Sequence, residues 1–517
     1  MILFLKNNML PISVFVTGAC VLIIEIAALR VLSPYYGNTI FTASSVISII
    51  LAALSVGYYA GGVLADRHPR LEWFFGIILA SSVTLLALHL FGTFTLPSIG
   101  YTLSLTSGPF VFSILLFFIP AFLLGMLSPY AIKLQNMLSS ETGVGTVAGK
   151  IFFWSTVGSI LGSLMTGFFL IPHFGVHRII VGTGVTLFLL GFLPLVVLRV
   201  NRQLATAVAA VFLAVLGVFV FSDARVEDSV ILNKDGVYGR IFIYDSISDG
   251  RPARFLRQGR SFSAAMFLDS DDPRDLAFDY TKYYSLYKIF TPDVAHALVI
   301  GGGAYSIPKA LFVAEPYASV DVVEVEPVLF DMAQTYFGAP DDPRLRNYVE
   351  DGRRFLYDAD TRYDVIFSDV YHSLYSVPNH FTTREFFELA KEKLADDGVF
   401  IANIIGDLSA EAPSLVLSEM RTFLSVFPNS HFFAVGSPEQ VSAQNIIFVG
   451  HNSGTKIDIT GVALEMYDEP VFRNLALHEI DISRFDLSAH QLLTDDFSPS
   501  EYLAAQVLKR EFAGITK

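Results

Sequence analysis

The chain has 517 residues, of which 53% are hydrophobic and 16% are charged, and its formal net charge is −14. This composition excludes an ordinary soluble globular protein, and the acidic balance argues against nucleic acid as a partner, because phosphates require positive charge. Cys20 is the only cysteine, which excludes a disulfide framework and a thiolate metal cluster, and we predict no metal site.

Charge is distributed unevenly along the chain. Residues 1–222 hold nine Lys and Arg against four Asp and Glu, so they carry +5, and residues 223–517 therefore carry −19. We expect the first segment to be a transmembrane helical domain in contact with the lipid bilayer. The second segment is expected to be acidic and soluble.

The first segment contains apolar runs of the roughly 20 residues that a helix needs to cross a bilayer. We predict seven spans, near residues 10–33, 40–64, 73–94, 109–132, 150–172, 177–198 and 204–222. Several glycines supply small faces for close contact between these helices, namely Gly57, Gly61, Gly62, Gly158, Gly162 and Gly167.

The soluble segment begins with a small module, bounded at 223–290. Alternating β-branched and aromatic positions over 229–268 predict antiparallel strands, and a Tyr-rich helix is predicted over 275–290. From 291 to 517, alternating strands and helices predict a mostly parallel sheet that is covered on both faces. The predicted strands are 296–301, 319–325, 346–350, 363–368, 398–404, 431–435 and 445–450, and the helices are 305–314, 327–337, 383–395 and 410–426.

The stretch AHALVIGGGAYSIPKAL, residues 295–311, has the pattern of a nucleotide-binding β-α-β unit. Gly301, Gly302 and Gly303 end a short apolar strand and a helix follows at once, while Glu324 ends the second strand about 20 residues later. Glycines allow the backbone to approach a ligand, and a carboxylate at this position accepts hydrogen bonds from a ribose diol.

Ligands of such sheets lie at the carboxyl ends of the strands. Asp351, beside Gly352, ends the third predicted strand, and Asp369 ends the fourth. Ser306 stands where a dinucleotide fingerprint has its last glycine, and no basic residue is nearby to neutralise a pyrophosphate. We therefore favour a ligand of the S-adenosylmethionine type and a Rossmann-like, methyltransferase-type domain. Each acid taken singly is equally compatible with a turn or a helix cap.

The cellular location follows from the basic residues that flank the spans. Lysines and arginines concentrate on the side of the N-terminus, and the positive-inside rule places that side in the cytoplasm. Seven crossings would then place the soluble segment outside, whereas a nucleoside ligand is supplied in the cytoplasm. We expect an integral protein of a prokaryotic inner membrane with a cytoplasmic soluble domain, an expectation that the count of seven spans opposes.

Residues 235–451 resemble the spermidine synthase family of aminopropyltransferases, in particular its membrane-fused branch. The resemblance is carried by LVIGGGAYSIPKAL, VVEVEPVLFDMA, DPRLRNYVEDGRRFL, YDVIFSDVYHS and HFTTREFFELAKEKLADDGVFIAN. GACVLIIEIAALRVLSPYYG, GYYAGGVLADR and LTDDFSP are similar to other parts of the same branch.

The resemblance implies transfer of an aminopropyl group from decarboxylated S-adenosylmethionine to a small-molecule amine. By position, Glu324 would hold the ribose, Asp351 the adenine, and Asp369 would be the base. S-adenosylmethionine itself is an alternative donor, and a homodimer is compatible with the sequence.

Departures from the family pattern concern the acceptor side. Ala304 replaces the acid that follows the third glycine, and Lys282 replaces the glutamate of a Tyr-His-Glu segment. His372 and Ser373 stand where the family has a second acid and a proline. These departures predict a rebuilt acceptor pocket, with Tyr371 and His372 joining Asp369 in catalysis and Tyr280, His380, Asp495 and Asp496 as candidate acceptor-binding residues.

Purely structural roles remain possible for some of these side chains. The histidines are equally compatible with hydrogen-bonded loop positions, and Asp495 and Asp496 with solvated or capping ones. Three functions therefore compete: aminopropyl transfer to a non-standard amine, another reaction of the sulfonium such as methyl transfer or release of methylthioadenosine, and non-catalytic binding of a nucleoside or polyamine by a transport or sensory protein.

Overall fold

A computed structural model gives the fold of this chain. It describes residues 2–515 apart from 105, 139–142, 198–208, 219–229, 260, 292, 371–377, 453–456, 458, 460–463, 465 and 466. The chain folds as two compact units, Met1–Glu227 and Asp228–Lys517.

The first unit is built from long apolar helices. They are α1 (Ile2–Tyr36), α2 (Ile40–Arg67), α3 (Leu71–Ile99), α4 (Ser107–Gly125), α5 (Leu127–Leu138), α6 (Val144–Met165) and α7 (Val176–Val197). Among the described residues, six helical segments are long and apolar enough to cross a membrane, with α4 and α5 forming one of them. These segments coincide with the first six predicted spans. Of the seventh, 204–222, the described part is a helix over Ala209–Val218, and the remainder lies outside the described residues.

Glycines allow two pairs of these helices to touch through their backbones. A Cβ at Gly57 or Gly61 of α2 would overlap the backbone of Phe122 or Met126, and one at Gly158 of α6 would overlap Phe15 of α1. Gly162 makes the same kind of approach to α1, whereas Gly167 has open space around it. Four of the six glycines singled out by sequence therefore lie at close helix contacts, as small residues do in packed membrane helices.

The second unit begins with an antiparallel β module. In the described part of the chain its four strands are β1 (Val230–Asp235), β2 (Arg240–Ser248), β3 (Arg251–Gln258) and β4 (Ser261–Phe267), in that spatial order. The Tyr-rich segment that follows is helical over Asp279–Phe290, in three short turns of α- and 3₁₀-helix. The module matches the predicted antiparallel strands.

A seven-stranded sheet, counted over the described residues, forms the centre of the second unit. Its strands are β5 (His296–Ile300), β6 (Ser319–Val323), β7 (Leu345–Tyr348), β8 (Tyr363–Ser368), β9 (Leu394–Gly406), β10 (His431–Ala434) and β11 (Gln444–His451). The spatial order is β10-β11-β9-β8-β5-β6-β7, and only the pairs that include β11 are antiparallel. Strand order reverses between β5 and β8, where Rossmann-like sheets bind ligands.

Helices cover this sheet, and its strands are buried on both faces. The helices of this layer are α8 (Ser306–Ala314), α9 (Leu329–Phe337), α10 (Gly352–Asp358), α11 (Arg384–Glu392), α12 (Leu415–Val426) and α13 (Ser500–Ile515). Strand residues such as Val299, Val322 and Val365 are essentially inaccessible to solvent, as near-continuous hydrophobic strands of parallel sheets are.

The sequence pattern misses two helices of this layer, α10 and α13, and misplaces the start of a third. Helix α10 has only seven residues and starts with glycine, so no periodic pattern predicts it; Asp351 starts it by accepting hydrogen bonds from two backbone amides. Helix α12 starts at Leu415 rather than near 410, because Ser414 is its N-cap and accepts from the amide of Leu417.

Candidate active site

A cleft of about 640 Å³ lies over the carboxyl ends of the central strands, within the size range of small-molecule sites. It collects residues from the tips of β5, β6, β7 and β8. Of the residues singled out by sequence, those that line it are Gly301, Gly302, Gly303, Glu324, Asp351, Gly352, Asp369, Tyr280 and His380.

Hydrogen bonds to Glu324 fix the conformation of the glycine turn after β5. Gly301 and Gly303 have φ angles of +94° and +52°, which side chains rarely adopt. A Cβ at Gly301 would also overlap the carbonyl of Asp369. Glu324 is buried, and its Oε2 accepts hydrogen bonds from the amides of Gly302 at 2.9 Å and Gly303 at 3.2 Å. This carboxylate therefore fixes the turn and faces the cleft beside it.

Asp351 caps α10 and binds His380. Its Oδ1 accepts from the amides of Arg353 at 3.1 Å and Arg354 at 3.0 Å, and its Oδ2 lies 2.9 Å from Nε2 of His380. Burial alone would raise the pKa of Asp351, but these hydrogen bonds outweigh it and hold the pKa below its usual range. Capping, which the sequence left open, is thus one role of Asp351, and it brings His380 to the cleft.

Asp369 is oriented by hydrogen bonds to both of its carboxylate oxygens. The hydroxyl of Tyr280 donates to Oδ2 at 3.1 Å, and Nδ2 of Asn403 donates to Oδ1 at 2.9 Å. Nδ2 of Asn445 in turn donates to Oδ1 of Asn403 at 2.9 Å. Burial, together with the charge of Asp369, raises the pKa of Tyr280 well above its ordinary value, so this hydroxyl stays a donor.

The two asparagines are not among the residues singled out by sequence. Both line the cleft, and Asn403 is buried in β9, next to β8 in the sheet. A signal was available, because an amide inside the apolar run VFIANIIG is costly unless it has a partner. Asn445 gave a weaker signal, since it lies at the start of β11, whose position beside β9 depends on the tertiary fold.

Asp495 and Asp496 do not belong to the residues that line the cleft. Asp495 accepts a bidentate pair of hydrogen bonds from Arg353, at 2.7 and 2.5 Å, and a third from Thr383 at 2.8 Å. Asp496 is exposed. The remaining candidates, Tyr371 and His372, lie outside the described residues.

Two positions that depart from the family pattern have apolar or paired surroundings. Ala304 is buried in a hydrophobic cluster with Ile241 and Leu256 of the β module. Lys282 forms an ion pair with Asp279 at 2.6 Å. The cleft therefore combines a side rich in backbone amides and carboxylates with a central, firmly oriented carboxylate that can bind a cation or accept a proton.

Comparison with known proteins agrees with this architecture. Residues 285–459 match the family model of the spermine/spermidine synthase domain. The polyamine aminopropyltransferase of Vibrio vulnificus is 27% identical over 290 residues, which cover 54% of this chain and 92% of that protein.

Two further relatives differ in what they cover. Polyamine aminopropyltransferase 2 of Aquifex aeolicus is 22% identical over 414 residues, covering 76% of this chain and 78% of its own, so the similarity extends into the first unit. The N-terminal histidine N-methyltransferase of Emericella nidulans is 26% identical over 283 residues, or 50% of this chain and 49% of that one. Residues 285–459 therefore belong to the spermine/spermidine synthase domain family, and the chain as a whole is similar to polyamine aminopropyltransferases.

Proposed function

We propose that this chain is a membrane-tethered aminopropyltransferase, which moves an aminopropyl group from decarboxylated S-adenosylmethionine to an amine acceptor. The family and its named relatives support the type of reaction. The six apolar helical segments among the described residues support the tether.

The observation that carries the proposal is the setting of Asp369. Its carboxylate stands at the centre of the strand tips, with the glycine turn of β5 on one side and β9 on the other. Tyr280 and Asn403 fix both oxygens, so the group can hold an acceptor amine in line with a donor on the glycine turn.

The reaction consists of one displacement. The lone pair of a neutral amine attacks the aminopropyl carbon bonded to the sulfonium, and a C–N bond forms as the C–S bond breaks. The bonding pair stays on sulfur, which becomes the neutral thioether of methylthioadenosine. Asp369 accepts the proton that the acceptor nitrogen loses, which general-base catalysis requires of a group in contact with the nucleophile.

The donor would occupy the side of β5, β6 and β7. Glu324 would accept hydrogen bonds from the ribose diol there, and Asp351 with His380, at the tip of the next strand outward, would face the adenine. Tyr371 and His372 follow Asp369 closely in sequence, and we retain them as candidate catalytic residues on that ground.

A second candidate function is methyl transfer from S-adenosylmethionine. Two observations favour it: Ala304 offers no acid to grip an aminopropyl amine, and the Emericella nidulans relative is named as a methyltransferase. A donor that keeps its carboxylate would be better accommodated without an acid at position 304.

Product analysis separates these candidates. The purified full chain in detergent is incubated with each donor and a mixture of amines, and products are identified by mass spectrometry. Methylthioadenosine with an aminopropylated amine is the expected result. Adenosylhomocysteine would favour methyl transfer, and methylthioadenosine without an amine product would indicate elimination. Saturable donor binding without turnover would identify a binding protein and contradict the proposal.

A further inference from the structure

Charged and uncharged side chains lie at opposite ends of the cleft. Across the carboxyl edge from β7 to β10 the lining residues are Glu350 and Asp351, then Glu324, the glycine turn, Asp369, Asn403 with Ile405, Asn445, and finally Val435. Three carboxylates precede the glycine turn in this order. Beyond Asp369, the described cleft-lining side chains of β9 and β11, and of Val435 just after β10, are uncharged.

These uncharged residues form one continuous wall. Asn403 and Ile405 are two positions apart on β9 and so face the same side, and Ile405 pairs with Asn445 on β11. The amide of Val435 donates to the carbonyl of Asn445. Three strand spacings separate β8 from β10, which gives this wall a length of roughly 14 Å. The half of the cleft beyond Asp369 is therefore long, and its described lining on these strands consists of amides and aliphatic groups.

Two acidic side chains near this wall form ion pairs with basic residues. Asp407, just past the end of β9, is buried and forms an ion pair with Arg510 at 2.7 Å. Asp279, which lines the cleft beside Tyr280, is paired with Lys282.

We propose that the acceptor is a primary monoamine with an uncharged, largely aliphatic body, and that diamines and polyamines are poor acceptors. This inference rests on the proposed transfer at Asp369. One amino group meets Asp369, and the rest of the molecule lies along Asn403, Ile405 and Val435. A second ammonium group would lose its hydration against this wall without gaining a carboxylate, and an unpaired charge is costly in such a place.

Pairs of amines matched in length test this directly. Pentylamine and 1,4-diaminobutane have the same number of heavy atoms, as do octylamine and 1,7-diaminoheptane. With the full chain in detergent and decarboxylated S-adenosylmethionine as donor, the monoamine of each pair should have a kcat/KM higher by about tenfold or more, a difference of about 1.4 kcal/mol. Equal or faster turnover of the diamines would overturn the inference and leave the proposed transfer intact.

A charge added to the wall provides the second arm. Ile405→Asp should raise kcat/KM for 1,7-diaminoheptane relative to octylamine by about tenfold. Ile405→Asn is the matched control, because asparagine has the shape of aspartate without its charge, and it should leave this ratio unchanged. An unchanged ratio in Ile405→Asp would count against the assignment of this wall to the acceptor. If no amine releases methylthioadenosine although the donor binds, the proposed function itself fails, and the inference fails with it.

Discussion

At the scale of single residues, the central feature is a chain of hydrogen bonds that ends on one carboxylate. Asn445 orients Asn403, Asn403 and Tyr280 orient Asp369, and the raised pKa of Tyr280 keeps its hydroxyl protonated. A carboxylate fixed at both oxygens loses little freedom when it binds an amine, which favours a reactive alignment.

These hydrogen bonds predict graded losses on mutation. Asn403→Ala removes a hydrogen bond to a charged group, worth about 1.5–3 kcal/mol, so kcat should fall roughly tenfold to hundredfold while donor affinity is kept. Asn445→Ala acts through Asn403 and should have a smaller effect. Steady-state kinetics and donor titration measure both quantities.

Asn452→Ala is a matched control, since Asn452 donates to the carbonyl of Ala395 and does not line the cleft. A fall in kcat no larger for Asn403→Ala than for this control would remove the positioning role of Asn403.

Lys309 gives a prediction about pH. This side chain of α8 is buried, donates to the carbonyl of Phe337, and has a pKa lowered to about 8 by burial. An unfolded lysine titrates near 10.4, so between about pH 8 and 10.4 the unfolded chain binds more protons. The folded state should therefore gain stability as pH rises through this window, by roughly 3 kcal/mol.

Lys309→Met removes the titrating group. Scanning calorimetry of both proteins from about pH 7 to 10 should show the variant more stable at the lower end, with the difference shrinking above about pH 8. A difference independent of pH would contradict the assignment of a lowered pKa to Lys309.

At the scale of elements, the segment 493–500 near the C-terminus supports the donor side of the cleft. Arg353 of α10 donates both to Asp495 and to the carbonyl of His380, and Thr382 shares hydrogen bonds with Ser498 and Ser500. The segment thus holds residues 380–383 next to Asp351.

Asp495→Asn separates this role from acceptor binding. Loss of the charge should weaken donor affinity several-fold, because the ion pair is partly exposed and of modest strength, and leave the KM for the acceptor unchanged. Asp496→Asn is the matched control and should behave as wild type. A rise confined to the acceptor KM would restore the acceptor-binding role expected from sequence.

The parallel strands and their tips were predictable from sequence, because βαβ units are local patterns with fixed polarity. The cleft does bring together Gly301, Glu324 and Asp369, as these patterns predict. Two other contacts were not predictable: the pairing of Asp495 with Arg353, 142 positions earlier, and the approach of Asn445 to Asn403 through antiparallel β11. Such contacts depend on how distant segments pack, and no local pattern encodes them.

At the scale of the whole molecule, the number of crossings decides on which side of a membrane the second unit lies. With the N-terminus in the cytoplasm, the six helical segments found among the described residues would return the chain to the cytoplasm, where an adenosyl donor is available. An even number of crossings would remove the conflict that seven spans create.

Cysteine labelling tests this topology, since the native Cys20 is buried. A membrane-impermeant maleimide should label Thr106→Cys, between α3 and α4, in intact spheroplasts. Tyr317→Cys, at a position 98% exposed in the second unit, should be labelled only after lysis. Labelling of both in intact spheroplasts would place the second unit outside.

The most direct test of the central claim is the Asp369→Asn variant. With decarboxylated S-adenosylmethionine and an active amine, formation of methylthioadenosine should fall by about 10²–10⁴-fold, the usual contribution of a general base. Affinity for methylthioadenosine, measured by calorimetric titration of the same protein, should stay within a few-fold of wild type. Undiminished turnover, or an equal loss of turnover and affinity, would contradict the claim that Asp369 is the base of an aminopropyl transfer.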